Sequence, residues 1–310
     1  MSSDFMDNAS YYLGINIGGT GCSITLGTSS GQILRRTAWP TAEAHDPDQA
    51  IARICTEAAS LQADTPALAA GVAIGGPLDT ASGTVLAPPN LPTWTEVRLR
   101  DQLETRLGIP VSVAHDAAAC ALAEYCWGGW QEGTLVYLTC GTGFGAGIVQ
   151  NGSILRSSNG LHPEIGHWQL LEEGPAAFGK VGSAEAFCSA KGLSRIAHWL
   201  FPNRWQTEPD PAEVSALAFN GDSQALEVLD RHANLTGKVC AMIAEFLCPD
   251  CIILGSLATH LGDPWTSRVQ TAFAQQALPR IAERVQVAGN ALGDRLQDLS
   301  ALVVAQTNNF

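Results

Sequence analysis

Apolar runs alternate with glycine-rich and polar stretches along YYLGINIGGTGCSITLGTSSGQILRRTAW, the first strongly patterned stretch of the chain. Apolar runs flank a glycine-rich turn there, which predicts strand, tight turn, strand and a further strand. Residues 46–61 carry helical spacing. LAAGVAIGG reads as a short buried strand ending in glycines, and APPNLPTW as a proline-rich loop. VSVAHD is a strand that runs into the helix AAACALAEYCW. TLVYLTCGTGFGAGIVQNGSILRSS again predicts strand, glycine turn, strand, turn and strand. The back half is more helical: 183–200, 211–219 and 223–247 show helical periodicity. CIILG and RVQVAG are strands, and QDLSALVVAQ is a last helix. Strands alternating with helices predict an α/β fold.

The two strand clusters resemble each other. SSGQILRR aligns with QNGSILRS, so that Gly31 pairs with Gly152 and Ile33 with Ile154 at one constant offset. An internal repeat sets architecture. It predicts two lobes, each opening with a hairpin whose glycine turn faces a shared cleft.

Composition narrows the picture. A chain of 310 residues suits two domains better than one core. Seventeen basic against 30 acidic residues leave a net charge of −13, which argues against a nucleic-acid partner or an anionic membrane surface. No apolar run approaches a membrane span, and the N-terminus lacks the pattern of a signal peptide. Nine scattered cysteines fit buried thiols in a reducing cytoplasm better than a disulfide framework. Cys248 and Cys251 form a CxxC without a second ligand pair, and are read as structural.

Two glycine turns carry candidate chemistry. Gly18, Gly19 and Thr20 in NIGGTG, and Gly141, Thr142 and Gly143 in TCGTGFGAG, offer backbone N–H groups and a hydroxyl to phosphate oxygens. A plain hairpin needs such a turn too. Their repeat-related positions favour phosphate binding. Neither is a P-loop, since no Gly-Lys-Ser/Thr follows, nor a dinucleotide fingerprint, since a strand comes next. Asp116 stands where a strand meets a helix. It reads both as a helix N-cap and as a general base that takes a proton from an attacking hydroxyl.

His162, Glu164 and His167 crowd into LHPEIGHWQLLEEG. The spacing invites a zinc reading. Pro163 and Gly166 break a helix there, so the side chains do not share one helical face. A carboxylate and an imidazole in a glycine-rich loop also suit hydrogen bonds to sugar hydroxyls. Each histidine alone is equally a surface or satisfied core residue.

Together these segments resemble the ROK family (repressor, open reading frame, kinase), sugar kinases of the two-lobed actin-like, ribonuclease H-like ATPase fold with the active site in the interlobe cleft. The likeness runs over most of the chain. GINIGGTGCSITL looks like the first phosphate motif. GVAIGGPLDTASGTVLAPPNLPTW is similar to the substrate-loop segment. AHDAAACALAE matches the segment of the catalytic aspartate, and LTCGTGFGAGIVQNGSILRSSNGLHPEIGH is the most specific match. The resemblance implies a catalytic Asp116 and sugar contacts from Asn90, His115, Glu164, His167 and Glu185. It implies nucleotide contacts from the two glycine turns and from Gly255 and Ser256 in PDCIILGSLA. It divides the chain into lobes 1–127 and 128–310, with the last helix packing back on the first.

Departures matter as much. Asn16 stands where the family has a Mg²⁺-holding Asp, which leaves it an indirect contact of the ion. Gly21 replaces a common Lys, and His115 a sugar-binding Asn. Many members carry three zinc-binding cysteines after the EIGH histidine. Here those positions are Ala176, Phe178 and Ser183, so no structural zinc is expected, because a structural site needs four ligands. Packing by Phe178 and a hydrogen bond from Ser183 are the expected substitutes for orienting His167. His162 lies outside the match and is taken as structural.

The implied function is ATP- and Mg²⁺-dependent phosphorylation of a hexose hydroxyl, glucose-like, by a cytoplasmic homodimer. One alternative is a catalytically weak or inactive sugar-binding protein on the same fold, motivated by Asn16 and Gly21. Another is a sugar-responsive repressor. The acidic charge and the few residues before the first phosphate motif, too few for a helix-turn-helix unit, disfavour it.

Overall fold

A computed structural model describes residues 10–307. In chain order the first elements are β1 (Tyr11–Ile17), β2 (Gly21–Thr28), β3 (Ile33–Pro40), α1 (Pro47–Leu61), β4 (Ala69–Ile74), the short strands β5 (Leu78–Asp79), β6 (Thr84–Val85) and β7 (Val97–Arg98), α2 (Leu99–Leu107), β8 (Val111–His115) and α3 (Asp116–Trp127). There follow β9 (Thr134–Cys140), β10 (Phe144–Gln150), β11 (Ser153–Ile154), β12 (Ala176–Ala177), β13 (Lys180–Val181), α4 (Ala184–Cys188), α5 (Ala190–Leu200), α6 (Pro211–Phe219) and α7 (Ser223–Leu247). The last are β14 (Cys251–Leu254), α8 (Leu257–Leu261), α9 (Asp263–Gln276), α10 (Pro279–Ala282), β15 (Gln286–Gly289) and α11 (Leu296–Val304).

The chain divides into two compact units. Of the described residues, the first holds 10–129, Ser153–His162 and 294–307, and the second holds Trp130–Gly152 and Pro163–Gly293. The expected boundary at 127/128 lies two residues from the first crossing. The 153–162 segment joins the first unit, which an undivided second lobe did not anticipate.

In the first unit the sheet order is β3-β2-β1-β4-β8. The first three strands are antiparallel, and β4 and β8 run parallel to β1. The central strands are covered on both faces, so they read as nearly continuous apolar runs. Alternation then sorts the faces. Leu13, Ile15 and Ile17 of β1 pack in one core with Ile51 and Ile54 of α1 and with Leu99 and Leu103 of α2. On the opposite face, glycines at the point of contact admit α11. A Cβ on Gly14 would lie 2.6 Å from the Leu302 nitrogen, and one on Gly71 would overlap Ala305 N and Ala301 O. At the start of α11, buried Asp298 accepts Ser23 Oγ at 2.7 Å and Arg36 Nε at 2.6 Å. The helix is thus tied to β2 and β3.

In the second unit β10, β9, β14 and β15 repeat the order of β2, β1, β4 and β8. β10 and β9 are antiparallel, and β14 and β15 follow β9 in parallel. The aligned turn glycines, Gly31 and Gly152, both have φ +80°. The repeat read from SSGQILRR and QNGSILRS is therefore a repeat of topology. The core of this unit packs Phe187, Leu193, Val239 and Trp265 onto the sheet.

One local expectation differs from the structure. Residues 183–200 are two helices, broken at Ser189, which is extended (φ −73°, ψ 166°). Tertiary partners meet the exposed backbone there. Ala190 N donates to Gly141 O at 2.8 Å, and His232 Nε2 donates to Ser189 O at 3.0 Å. The CxxC splits between two elements. Cys248 ends α7 in a left-handed conformation (φ 49°) and is exposed, whereas Cys251 is buried in β14. Both are free thiols. Among the described residues no helix is long and apolar enough to cross a membrane.

Candidate active site

In the first unit β8 ends at His115, and α3 begins at Asp116. The N-cap position is His115, so Asp116 is the first helical residue and not the cap that its sequence position allowed. Its Oδ1 accepts the Ala117 amide at 2.6 Å and lies 3.3 Å from His115 Nδ1. Oδ2 faces Gly75, where a Cβ would stand 3.7 Å away. One oxygen is thereby held, and the other is turned toward a residue without a side chain. The carboxylate is about one-third exposed, and His115 about one-tenth.

His162, read from sequence as structural, lies beside these residues. Its ring stacks on His115 with centroids 3.9 Å apart and planes 23° from parallel. The signal available in the sequence was only that it leads the H-x-E-x-x-H run. No spacing rule connects it to a residue 47 positions earlier.

The first glycine turn closes by Gly18 N donating to Gly21 O at 3.0 Å. Thr41 braces it, with Oγ1 donating to Gly18 O at 2.7 Å and its amide to Thr20 O at 3.0 Å. Gly19 and Thr20 are left exposed. Asn16 lies in β1 just before this turn and is 7% exposed. Its Oδ1 has no hydrogen-bond partner among the described residues, a cost of about 1–3 kcal/mol for a buried acceptor. Asn90 is exposed in the loop between β6 and β7, whose ends are joined by Ala87 N donating to Trp94 O at 2.8 Å.

In the second unit the other glycine turn closes by Gly141 N donating to Gly143 O at 3.1 Å, with Thr142 exposed. A Cβ on Gly141 would stand 3.2 Å from Ser256 Oγ, so Ser256 borders this turn. Gly255 links back to the same strand, its amide donating to Leu138 O at 2.9 Å. Glu185 in α4 receives the Phe144 amide on Oε2 at 3.2 Å. Burial pushes the Glu185 carboxyl above the usual range, and the Phe144 amide, Arg195 and His167 oppose it, while nearby Glu164 adds to the rise. Glu164, His167 and Glu185 therefore form one electrostatic group. Glu164 and His167 are exposed, at either end of a short 3₁₀ turn (Ile165–His167).

The segment after His167 folds into the β12–β13 hairpin. Phe178 occupies its tip at φ +48°, 63% exposed, with its ring 6.2 Å from that of His167. Lys180 Nζ donates to the His167 carbonyl. Gln169 Nε2 donates to Val181 O at 2.8 Å and also reaches Leu171 O. Ser183 does not orient His167. Its Oγ caps α4, accepting Ala186 N at 3.3 Å. A serine just before a helix is drawn to that role by the unsatisfied amides of the first turn.

The model of the ROK family matches residues 12–306. The chain belongs to the ROK family. Among its ROK relatives is a glucokinase of Halalkalibacterium halodurans, 30% identical over 307 residues, covering 91% of this chain and 92% of that protein. Among solved structures, a ROK hexokinase from Thermus thermophilus superposes with a TM-score of 0.84 at 27% identity, over 96% of this chain and 99% of that one. A ROK family glucokinase from Streptomyces griseus in complex with glucose and AMPPNP superposes with a TM-score of 0.81 at 25% identity, over 96% and 100%. The α/β architecture described above is thus the two-lobed actin-like ATPase fold of the ROK sugar kinases.

Proposed function

We propose that this ROK protein transfers the γ-phosphoryl group of ATP to a hydroxyl of a glucose-like hexose. The observation that carries the reading is the carboxylate of Asp116, with Oδ1 bonded to the Ala117 amide and bounded by His115 and with Oδ2 turned toward Gly75. A general base needs one oxygen fixed and one available. In this reading Oδ2 takes the proton of the attacking hydroxyl. Asn90, His115, Glu164, His167 and Glu185 hold the sugar. Gly19 and Thr20, and Thr142 and Gly143, hold the nucleotide through backbone amides and hydroxyls, in turns closed by the amides of Gly18 and Gly141, with the Ser256 hydroxyl beside the second turn and the Gly255 amide tying that segment to Leu138 O. Rate enhancement comes from positioning and charge stabilisation, as phosphoryl transfer requires little covalent work from the protein. Support comes from family membership and from a relative solved with glucose and an ATP analogue.

Mg²⁺ supplies charge neutralisation on the phosphates when bound. Among the described residues no cluster of three or more histidines, cysteines or carboxylates is suited to a metal. The buried, unpartnered Oδ1 of Asn16 fits an indirect role, as an acceptor for a water of the hydrated ion. The same reading takes the protein as a homodimer in the cytoplasm, where its free thiols would persist.

A coupled ATP-consumption assay over a panel of hexoses, with Asp116→Asn beside the parent, tests the proposal. Turnover of a glucose-like sugar is expected, reduced by at least about 100-fold in Asp116→Asn with sugar binding retained. The neutral Asn16 favours a second reading, a sugar-binding protein with weak or no catalysis. Sugar binding without turnover in the parent would establish that reading in place of the first.

A further inference from the structure

Resting on the kinase reading above, we propose that His162 is a positioning residue for Asp116, acting through His115. The three side chains form a series within the first unit. The His162 ring stacks on His115 at 3.9 Å, and His115 Nδ1 lies 3.3 Å from Asp116 Oδ1. A carboxylate at a helix start rotates about its terminal bond unless its oxygens are engaged. The Ala117 amide bonds Oδ1 from one side, and the His115 ring bounds it from another, Nδ1 lying 3.3 Å away. An imidazole itself swings about its own side-chain bonds unless a neighbour packs its face. His162 is that neighbour.

The surrounding chain is built to place this ring. Residues 157–160 form a turn, Gly160 N donating to Ser157 O at 3.1 Å. Asn159 Oδ1 accepts both Ser157 Oγ at 2.5 Å and the Leu161 amide at 3.1 Å. Gly160 has φ +78°, a conformation side chains resist, and an added Cβ would overlap Asp79 Oδ1. Its carbonyl accepts Thr80 N at 3.4 Å and Thr80 Oγ1 at 3.3 Å, which anchors the turn beside β5. On the other side Gly76 makes room for the ring. A Cβ there would lie 2.7 Å from His162 Cε1 and 2.8 Å from Nε2, and 3.3 Å from His115 Cδ2. A glycine against the ring edges, an anchored turn and a face-to-face stack together hold two imidazoles in one orientation. A residue that merely filled space would not require all three.

The test compares His162→Ala with His162→Phe, which keeps a flat ring, in steady-state kinetics of the full-length protein. In His162→Ala, kcat is expected to fall roughly tenfold or more, the scale of a slightly misplaced catalytic group, with KM for ATP unchanged. In His162→Phe, kcat stays within about threefold of the parent, because the stacking surface survives. His162→Asn, polar but without a ring, replaces the alanine variant if that does not fold, and the same loss is expected. Wild-type kcat in the ringless variant, or equal losses in Ala and Phe, would overturn the proposal while leaving the kinase reading intact. No turnover of any sugar by the parent overturns the kinase reading and the proposal with it. A substrate-free readout accompanies these. His162→Ala should remove the ring-current shift of the His115 ring protons in NMR spectra of the free protein, and an unchanged shift overturns the stack itself.

Discussion

Trp265 Nε1 donates to His232 Nδ1 at 3.1 Å, so the proton of this fully buried imidazole is on Nε2 and is given to the Ser189 carbonyl. The ring is neutral by construction. Protonating Nδ1 would set two donors against each other.

Stability should therefore depend on pH through His232. Burial lowers its pKa from 6.5 to about 4, partly offset by the Ser189 carbonyl. Below pH 6.5 the unfolded chain takes up the proton while the folded one resists. The stabilisation is complete above pH 6.5 and is lost as pH falls toward 4. The slope approaches about 1.4 kcal/mol per pH unit and the total about 3 kcal/mol. Urea unfolding at pH 7, 6 and 5 measures it. His232→Gln should lower stability at pH 7 and flatten this dependence, and a parallel profile in the variant would contradict the assignment.

Gly71→Ala tests the contact of sheet and last helix. The added methyl has no space between β4 and the backbone of α11. A loss of at least about 2 kcal/mol is expected from overpacking. Gly289→Ala, where the new Cβ meets Ala258 Cβ at an ordinary 3.4 Å, should change stability much less. Equal effects in chemical denaturation would mean that α11 does not lie against Gly71.

Phe178→Asn separates strain from orientation. Asparagine tolerates φ +48° better than a bulky side chain, so stability should rise by roughly 0.5–1 kcal/mol. The variant also removes the ring 6.2 Å from His167. If that ring helps to orient the imidazole, KM for the sugar rises several-fold while kcat changes little. An unchanged KM would leave the Lys180 and Gln169 hydrogen bonds as the means of holding the hairpin.

Metal analysis of the purified protein is expected to find no stoichiometric zinc. The positions after His167 where cysteines would be needed are Ala176, Phe178 and Ser183. Chelation should accordingly leave the melting temperature unchanged, and a fall would show a bound structural metal.

Much of the fold follows from local pattern. The apolar run YYLGINI before its glycine turn and the helical period of 223–247 set elements that the tertiary structure keeps. The pairing of Gly31 with Gly152 was visible because a turn that needs positive φ retains its glycine. Asp116 stood out as a candidate because a carboxylate at a strand-to-helix junction has few roles, but the residue that caps the helix is His115. The break at Ser189 was not legible, since the groups that meet the freed backbone there, Gly141 and His232, are distant in sequence, the latter 43 residues away. Nor was the part played by Ser183, where capping of α4 outweighed a contact with His167.

By itself the sequence determined the period of each element, the repeat and the chemical kinds of the candidate residues, because these depend on neighbours along the chain. The tertiary structure alone decided that His162 lies on His115, that α11 lies against the sheet at Gly14 and Gly71, and that His232 stays neutral. Each of these depends on groups far apart in sequence. Burial and backbone approach bring them together, and no local pattern of polarity encodes that.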